Sequence, residues 1–284
     1  MSAREEVSAL TLCYGPFSKI FQTILCPMPD TFDATVFYAV GDIHGLADRL
    51  SALHTEIFNH HATHHNGASA CIVHLGDYVD RGNNSKGVIE AIWALEAKAE
   101  ETDWLTVKSI LGNHEQMMLE ALGGDTSYLV SWLRNGGRDT LESYRQGDED
   151  LDEIMLNMPK DHLSWLSGLP DIFIVEDRRF VFVHAGVEPA MFPDDGQEPH
   201  LWTRSKRFFD VTRWSKRPKL AGYTVVHGHT PVEETKIVEH NGARRINVDL
   251  GACYGGPLTA VALPPVGEPT FLQIPAGPHA ASNV

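Results

Sequence analysis

Residues 35–57 of the chain read TVFYAVGDIHGLADRLSALHTEI. The first six of them are mostly β-branched or aromatic, which predicts a buried strand over Thr35–Val40. Polar residues and two glycines follow, and from Leu46 to Ile57 the apolar residues recur at the spacing of one helix face. The segment therefore predicts a strand, a polar loop and a helix in succession.

This order recurs along the first half of the chain. Ala70–Leu75 predicts a second strand with a helix after it, and Leu105–Leu111 predicts a third strand that leads into a helix near Glu115. The strand pattern is absent from 124–169, where helical spacing predicts an insertion. Further strands are predicted at Ile172–Val175, Phe180–Val183, Thr224–Val226, Ile246–Val248, Leu258–Leu263 and Phe271–Ile274. This organisation is α/β.

The patterns divide the chain into three parts. Residues 1–34 are an N-terminal extension, 35–275 the main domain and 276–284 a C-terminal tail. Four apolar residues of the extension are spaced as one helix face: Phe17, Ile20, Phe21 and Ile24. We expect this short helix to dock on the main domain and not to anchor the chain in a membrane.

The composition limits the classes of function. Of the 284 residues, 43% are hydrophobic, which is enough to fill a sizeable core. The formal net charge of −15 repels polyanions, so we do not expect nucleic acid as a partner. The cysteines form no CxxC pair, the start of the chain lacks a basic signal region, and no apolar run is long enough to span a membrane. These features predict a cytoplasmic protein without membrane association.

The predicted strands end in loops that carry polar side chains. GDIHG supplies Asp42 and His44, an oxygen and a nitrogen ligand that together suit a borderline divalent cation. GDYVDRG supplies Asp77, Asp80 and Arg81 between glycines. Taken singly, an aspartate beside glycine is typical of a turn, and the second loop also fits a surface salt bridge. Neither loop alone establishes a site.

Three later junctions carry the same kinds of ligand. GNHE supplies Asn113 and His114 at the start of a helix, whose N-terminus favours negative charge. His184 in FVHAG and His229 in VVHGHT each follow a β-branched run, although a lone histidine there is more often structural, and spacing does not choose between His227 and His229. Because five junctions all offer oxygen or nitrogen ligands and no thiolate, the sequence predicts a site for divalent cations.

In this order, the motifs GDIHG, GDYVDRG, GNHE, HAG and HGHT resemble those of the phosphoprotein phosphatase branch of the calcineurin-like metallophosphoesterases. The resemblance runs from about Val36 to Leu263. NGG followed by Thr140 and Leu141, and LWTR ending at Arg204, resemble the bacterial and phage members, which include serine/threonine phosphatases and diadenosine tetraphosphatases. The resemblance implies a four-layer αββα sandwich, in which two mixed β-sheets are flanked by helices, with a helical insertion.

The resemblance also implies which residues hold metal. One divalent cation would be bound by Asp42, His44 and the bridging Asp77. The second would be bound by a set that shares the bridging aspartate: Asp77, Asn113, His184 and His229. By the same comparison His227 is not a ligand. Manganese is the expected metal, with iron or zinc as alternatives, because mixed oxygen and nitrogen ligands admit all three.

Catalytic roles follow from the same resemblance. His114 would be the general acid and Asp80 its orienting partner, while Arg81 and Arg204, with Asn113, would bind the substrate phosphate. A hydroxide that bridges the two cations would attack phosphorus in line, and His114 would protonate the leaving oxygen.

Several other residues carry weaker expectations. The sequence departs from many bacterial relatives at Asp249, where Asp-Leu-Gly stands in place of Asp-Thr-Gly, and Tyr254 just beyond is expected either to flank the site or to pack in the core. Five histidines at a helix end and its loop could bind adventitious metal, but we expect them to be solvated: His54, His60, His61, His64 and His65.

Three functions fit this set of motifs. We favour a phosphomonoesterase that acts on phosphoserine or phosphothreonine, and secondarily phosphotyrosine, in a protein or peptide. The alternative substrate is a small phosphorylated molecule, namely diadenosine tetraphosphate or a related nucleotide, which would need an aromatic shelf such as Trp132 or Tyr144. A binding or regulatory module without catalysis is least favoured, because every expected catalytic position is filled.

Overall fold

The computed structural model of the protein describes residues 24–25 and 34–276, within which the strands form two mixed sheets. The strands are β1 (Ile24–Leu25), β2 (Val36–Val40), β3 (Ala70–His74), β4 (Leu105–Ser109), β5 (Ile172–Val175), β6 (Phe180–Val183), β7 (Thr224–His227), β8 (Lys236–His240), β9 (Ala243–Asn247), β10 (Leu258–Leu263) and β11 (Thr270–Ile274). The α-helices are α1 (Ala47–His64), α2 (Ser85–Glu100), α3 (Asn113–Leu122), α4 (Thr126–Trp132), α5 (Arg138–Tyr144), α6 (Leu151–Leu156), α7 (Lys160–Ser167), α8 (Gln197–Trp202) and α9 (Lys206–Phe209). A π-helical turn spans Leu133–Gly137, and 3₁₀ turns span Val211–Lys216 and Ala252–Tyr254.

Each sheet contains a parallel set of strands. The five-stranded sheet has the order β11-β10-β2-β3-β4, and β2, β3 and β4 are parallel. The six-stranded sheet has the order β1-β5-β6-β7-β9-β8, and β6, β7 and β9 are parallel. The carboxyl ends of parallel neighbours meet at one edge of a sheet, which is where open α/β sheets bind ligands.

Strand β2 shows how the layers pack. Val36, Tyr38 and Val40 contact the core beneath the helices, whereas Phe37 and Ala39 lie between the two sheets. Both faces are buried, which explains the continuous apolar run in the sequence. The outer face of the six-stranded sheet packs against a third apolar cluster that includes aromatic residues from 208–214. The predicted αββα sandwich is therefore confirmed.

The predicted helical insertion consists of α4 to α7 and contains no strand between residues 124 and 169. Trp132, Leu141 and Leu166 are fully buried in it. They belong to the same apolar cluster as the inner faces of α1 and α2. The insertion thus extends the main core.

His200 of α8 forms a buried ionic link beside the site. Its Nδ1 lies 2.8 Å from Asp171 Oδ2 and its Nε2 lies 3.1 Å from Asp195 Oδ1. Burial lowers the pKa of His200, but the hydrogen bonds to these two aspartates outweigh burial and raise the pKa to about 9. The His200 carbonyl accepts the N–H of Ala185, one residue after His184. The link therefore fixes α8 to the end of β6.

Strand β8 is not predicted by the sequence patterns, because its residues are exposed or half-buried at a sheet edge. It forms a hairpin with β9 through Asn241 and Gly242, whose φ values are 52° and 78°. An Asn-Gly pair is a strong signal for such a hairpin. That dipeptide was the available indication of the strand.

Most of the predicted extension 1–34 and of the tail 276–284 lies outside the described residues. Phe17, Ile20 and Phe21 are among the residues outside, whereas Ile24 pairs with a residue of β5 as part of β1. The helical assignment of Ile24 is therefore wrong. Within the described residues, no helix combines the length and apolar character that crossing a membrane requires.

Candidate active site

Loops at the ends of five strands supply the predicted site. The loops after β2, β3 and β4 carry Asp42, Asp77 and Asn113, and those after β6 and β7 carry His184 and His229. None of these five residues is more than 7% exposed. The two sheets therefore bring residues from distant parts of the sequence into one buried cluster.

Besides the bridging Asp77, three residues are predicted to hold the second cation, and their ligand atoms lie close together. Asn113 Oδ1 lies 2.8 Å from His184 Nε2 and 2.9 Å from His229 Nδ1. The two imidazole nitrogens are 3.2 Å apart. Three ligand atoms thus face one small volume, as a shared cation requires.

Asp77 lies between the two groups of predicted ligands. Its Oδ2 is 3.4 Å from His44 Nε2, and its Oδ1 is 3.4 Å from His184 Nε2. Ligand atoms of Asp42, Asp77 and His184 lie within 4.8 Å of one another. Both carboxylate oxygens of Asp42 also accept the backbone N–H of His229. Asp77 is therefore placed to bridge two ions, the role that the resemblance implies.

Backbone carbonyls fix the orientation of two imidazoles. His44 Nδ1 lies 2.8 Å from the carbonyl oxygen of Val79, and His184 Nδ1 lies 2.9 Å from that of Leu75. A carbonyl can only accept, so each Nδ1 carries the proton and each Nε2 has a lone pair on the side of Asp77 that a cation could share. Metal-binding histidines are commonly oriented in this way.

The charges of the cluster fit a divalent cation. Burial raises the pKa of Asp42, the nearby Asp249 raises it further, and burial also raises the pKa of Asp77. Burial lowers the pKa of His184 to about 3 and that of His229 to about 2. Neutral imidazoles keep their lone pairs free, and a bound cation would stabilise the crowded carboxylates as anions. The donor set therefore suits divalent metal.

His114 and Asp80 form a buried pair beside the cluster. His114 Nδ1 lies 2.6 Å from Asp80 Oδ2. The other Asp80 oxygen accepts hydrogen bonds from the Trp132 indole N–H at 2.8 Å and the Thr140 hydroxyl at 2.7 Å. Burial nevertheless raises the pKa of Asp80 to about 7. The insertion thus donates hydrogen bonds to Asp80, the partner of His114. This role explains the NGG and Thr140 motif.

Distance alone would also admit His114 as a metal ligand. Its Nε2 lies 3.9 Å from Asp77 Oδ2, and one ligand atom each of His44, Asp77 and His114 falls within 4.8 Å of the others. Burial and the Arg81 charge lower the pKa of His114, whereas the Asp80 carboxylate that accepts from Nδ1 would stabilise the protonated imidazole that a general acid needs.

The two arginines contact different histidines of the site. Arg81 contacts His44 Nε2 at 2.5 Å and His114 Nε2 at 2.8 Å, and its guanidinium carbon is 5.3 Å from the centroid of the Tyr254 ring. Arg204 Nε lies 3.3 Å from His229 Nε2, and Arg204 is exposed. Tyr254 is 63% exposed, so it flanks the site and is not a core residue.

The backbone of the site is strained. Five candidate residues have positive φ: His44 (45°), Asp77 (54°), Asp80 (73°), Arg81 (67°) and His229 (66°). Such conformations cost about 1–3 kcal/mol each in residues other than glycine and concentrate at functional sites. The same residues that carry the predicted chemistry thus carry the strain.

Two residues of the site were missed by the sequence reasoning. Glu115, the last residue of GNHE, is fully buried and accepts backbone N–H groups from both the GDYVDRG and GNHE loops. Asp249 is 3% exposed, and its charge raises the pKa of Asp42. The available signals were the place of Glu115 in GNHE and that of Asp249 in the Asp-Leu-Gly stretch.

Some predicted placements are wrong. Trp132 and Tyr144 are 0% and 5% exposed, so neither offers a shelf for adenine. His54 and His61 are buried and not solvated: His54 Nε2 lies 2.9 Å from His74 Nε2, and His61 Nε2 lies 3.1 Å from a carbonyl oxygen. All four side chains are buried in apolar surroundings, which the spacing of residues in the sequence does not reveal.

Comparison with known proteins identifies the family. The profile of the calcineurin-like phosphoesterases matches residues 35–256, well over half of the chain. The chain belongs to the calcineurin-like phosphoesterase family. Its predicted class, a metal-dependent phosphoesterase of the hydrolase group, is thereby confirmed.

This calcineurin-like phosphoesterase is similar in sequence to proteins of Bacillus species. The asymmetrical bis(5'-nucleosyl)-tetraphosphatase PrpE of Bacillus thuringiensis is 27% identical over 247 residues, which cover 79% of this chain and 89% of that protein. A PrpE of Bacillus cereus is 26% identical, and the alignment covers 84% of this chain and 93% of that protein.

Solved structures share the fold. A cold-active protein tyrosine phosphatase superposes with a TM-score of 0.56 at 21% identity, covering 86% of this chain and 81% of that one. A serine/threonine phosphatase of Saccharomyces cerevisiae gives a TM-score of 0.56 at 14% identity, covering 88% and 82%. At these identities the likeness concerns the fold alone.

Proposed function

We propose that this phosphoesterase hydrolyses its substrate with two divalent cations and a histidine general acid. The proposed ligands are the predicted ones: Asp42, His44, Asp77, Asn113, His184 and His229. When bound, the cations would neutralise phosphoryl charge and lower the pKa of the attacking water. Manganese remains our expected metal. The observation that carries the proposal is the 2.6 Å contact of His114 with Asp80. This pair lies beside Asp77, whose carboxylate faces both His44 and His184.

The chain's own residues would handle the phosphate and the proton. Arg81 donates to both His44 and His114 in this structure. When Arg81 turns to phosphate oxygens, His114 Nε2 is released from that donor and can carry a proton. Asp80 then stabilises the imidazolium until the proton passes to the leaving oxygen. Arg204 would hold the phosphate from the exposed rim of the site.

We propose a dinucleoside tetraphosphate as the substrate. The relatives of that activity align over 89% of their length. Tyr254 offers an exposed aromatic face above Arg81, where a nucleobase can stack. Seven of the chain's 23 lysines and arginines lie between Arg204 and Lys219, with one acidic residue. This basic segment begins at the site and would attract a small polyanion, although the net charge of the chain is −15.

A protein phosphatase, the function favoured from the sequence, is the second candidate. Its support is the exposed rim: Arg204 and Tyr254 both face solvent, so a phosphorylated side chain on a peptide has access. The phosphate-facing residues serve either substrate, because they contact phosphorus oxygens and not the leaving group.

A substrate panel distinguishes the two candidates. Diadenosine tetraphosphate, a phosphopeptide and p-nitrophenyl phosphate would each be assayed with Mn²⁺ and with chelator. We expect diadenosine tetraphosphate to have the highest kcat/KM. Tyr254→Ala should raise its KM about 5- to 150-fold, the value of one base stack, whereas Tyr254→Phe should preserve it. A preference for the phosphopeptide, with no effect of Tyr254→Ala, would establish the second candidate instead.

A further inference from the structure

A second group of imidazoles lies at the C-terminal end of α1. We propose that His60, His64 and His65 form a separate binding site for one late first-row divalent metal ion of the Ni²⁺ and Zn²⁺ class. At 1.5 Å per residue, the site is about 20 Å along the helix from Ala47, which follows the GDIHG loop. It is therefore distinct from the proposed catalytic cluster.

The three rings lie close together. The ring centroids of His60 and His64 are 4.8 Å apart, those of His60 and His65 are 5.3 Å apart, and those of His64 and His65 are 6.4 Å apart. Residues four apart share one helix face, which is the spacing of a two-histidine chelate. His64 is exposed, so solvent leaves room for its side chain to turn towards the other two.

One imidazole is already oriented for binding. His60 Nδ1 lies 3.1 Å from the hydroxyl oxygen of the buried Tyr38, which leaves its Nε2 for a cation. An outer partner of this kind typically fixes a ligating histidine. His61 is different, since its Nδ1 also contacts Tyr38 and its Nε2 contacts the carbonyl of Ala68. We therefore exclude His61 from the ligands.

The surroundings favour a cation. The C-terminal end of an α-helix carries partial negative charge, and the last turn of α1 contains His61 and His64. Burial and repulsion from neighbouring imidazoles lower the pKa of both His60 and His65. These rings are thus neutral near pH 7 and keep a lone pair for metal.

Ligand chemistry separates the two sites. The catalytic cluster offers carboxylate and amide oxygens along with imidazoles, which harder ions such as Mn²⁺ accept. The helix site offers imidazole nitrogen alone, which suits Ni²⁺, Zn²⁺ and Cu²⁺. Protein loaded with Mn²⁺ should therefore still bind one further Ni²⁺.

Calorimetry on full-length protein without a histidine tag tests this inference. Ni²⁺ would be titrated into protein saturated with Mn²⁺. We expect one Ni²⁺ per chain that His64→Ala weakens about tenfold or more, whereas the control His240→Ala, at the end of β8, leaves it unchanged. Ni²⁺ that replaced Mn²⁺ in the catalytic cluster would bind equally to wild type and His64→Ala, and that equality would overturn the proposal.

Fluorescence gives a second readout. Trp104 stacks on His61, with ring centroids 5.2 Å apart and planes 16° apart. Ni²⁺ on the neighbouring histidines should quench this tryptophan, and Trp104→Phe should remove the quenched part of the signal. Quenching that persists in His64→Ala would contradict the assignment.

Discussion

Glu115→Gln is the substitution whose cost is most directly read from the structure. Glu115 Oε2 accepts the N–H groups of Asp77 and Gly112, each at 2.9 Å. Its Oε1 accepts those of Tyr78 at 2.7 Å and Val79 at 3.1 Å. Four backbone donors from two catalytic loops thus converge on one buried carboxylate.

Glutamine replaces one accepting oxygen with a donating NH₂ group. Either orientation leaves two buried N–H groups without an acceptor, and each costs about 1–3 kcal/mol. Loss of a negative charge beside Asp77 relieves some repulsion, which opposes part of this cost. We therefore expect about 2–4 kcal/mol of destabilisation.

Urea denaturation of metal-free protein measures this loss as a lower midpoint at constant slope. Glu100→Gln, on the exposed end of α2, is the matched control and should change stability by less than about 0.5 kcal/mol. If Glu115→Gln and Glu100→Gln unfolded at the same urea concentration as wild type, the proposed organising role of Glu115 would be refuted.

Two further predictions concern pH and steric space. The folded-state pKa of His200 is about 9, above the ordinary value of 6.5. Protonated His200 therefore contributes about 3 kcal/mol to the free energy of unfolding, a contribution that is complete below pH 6.5 and lost as pH rises through 9. A midpoint of urea unfolding that does not fall between pH 6.5 and 10 would contradict this. Gly228→Ala places a Cβ 2.0 Å from Asp42 Oδ1 and should reduce bound metal and turnover together, whereas Gly168→Ala, with its nearest neighbour at 3.4 Å, should keep both; equal metal content in the two variants would count against it.

Much of the fold could be predicted because both faces of its central strands are buried. The residues Val36–Val40 are apolar throughout, and the glycine-rich loop after them marks where the strand ends. Strand β8 escaped prediction because it lies at a sheet edge, where side chains face solvent and the apolar pattern disappears. The Asn241-Gly242 turn was the better guide there.

The residues of the site could be predicted from the sequence, but the hydrogen bonds that connect them could not. The motifs gave His114 and Asp80, and the structure brings them to 2.6 Å. That Trp132 serves Asp80 and not a nucleobase depends on how the insertion packs, which is a tertiary property. The exposure of Tyr254, the last residue of a 3₁₀ turn, is a tertiary property of the same kind.

Metal content and turnover of His114→Asn test the central claim most directly. The two-cation account predicts that His114→Asn retains the same two equivalents of Mn²⁺ as wild type while turnover falls about 10²- to 10⁴-fold. Asp77→Asn, in parallel, should lose metal. Loss of metal from His114→Asn would instead make His114 a ligand, as its 3.9 Å distance from Asp77 permits, and would contradict its assignment as the proton donor.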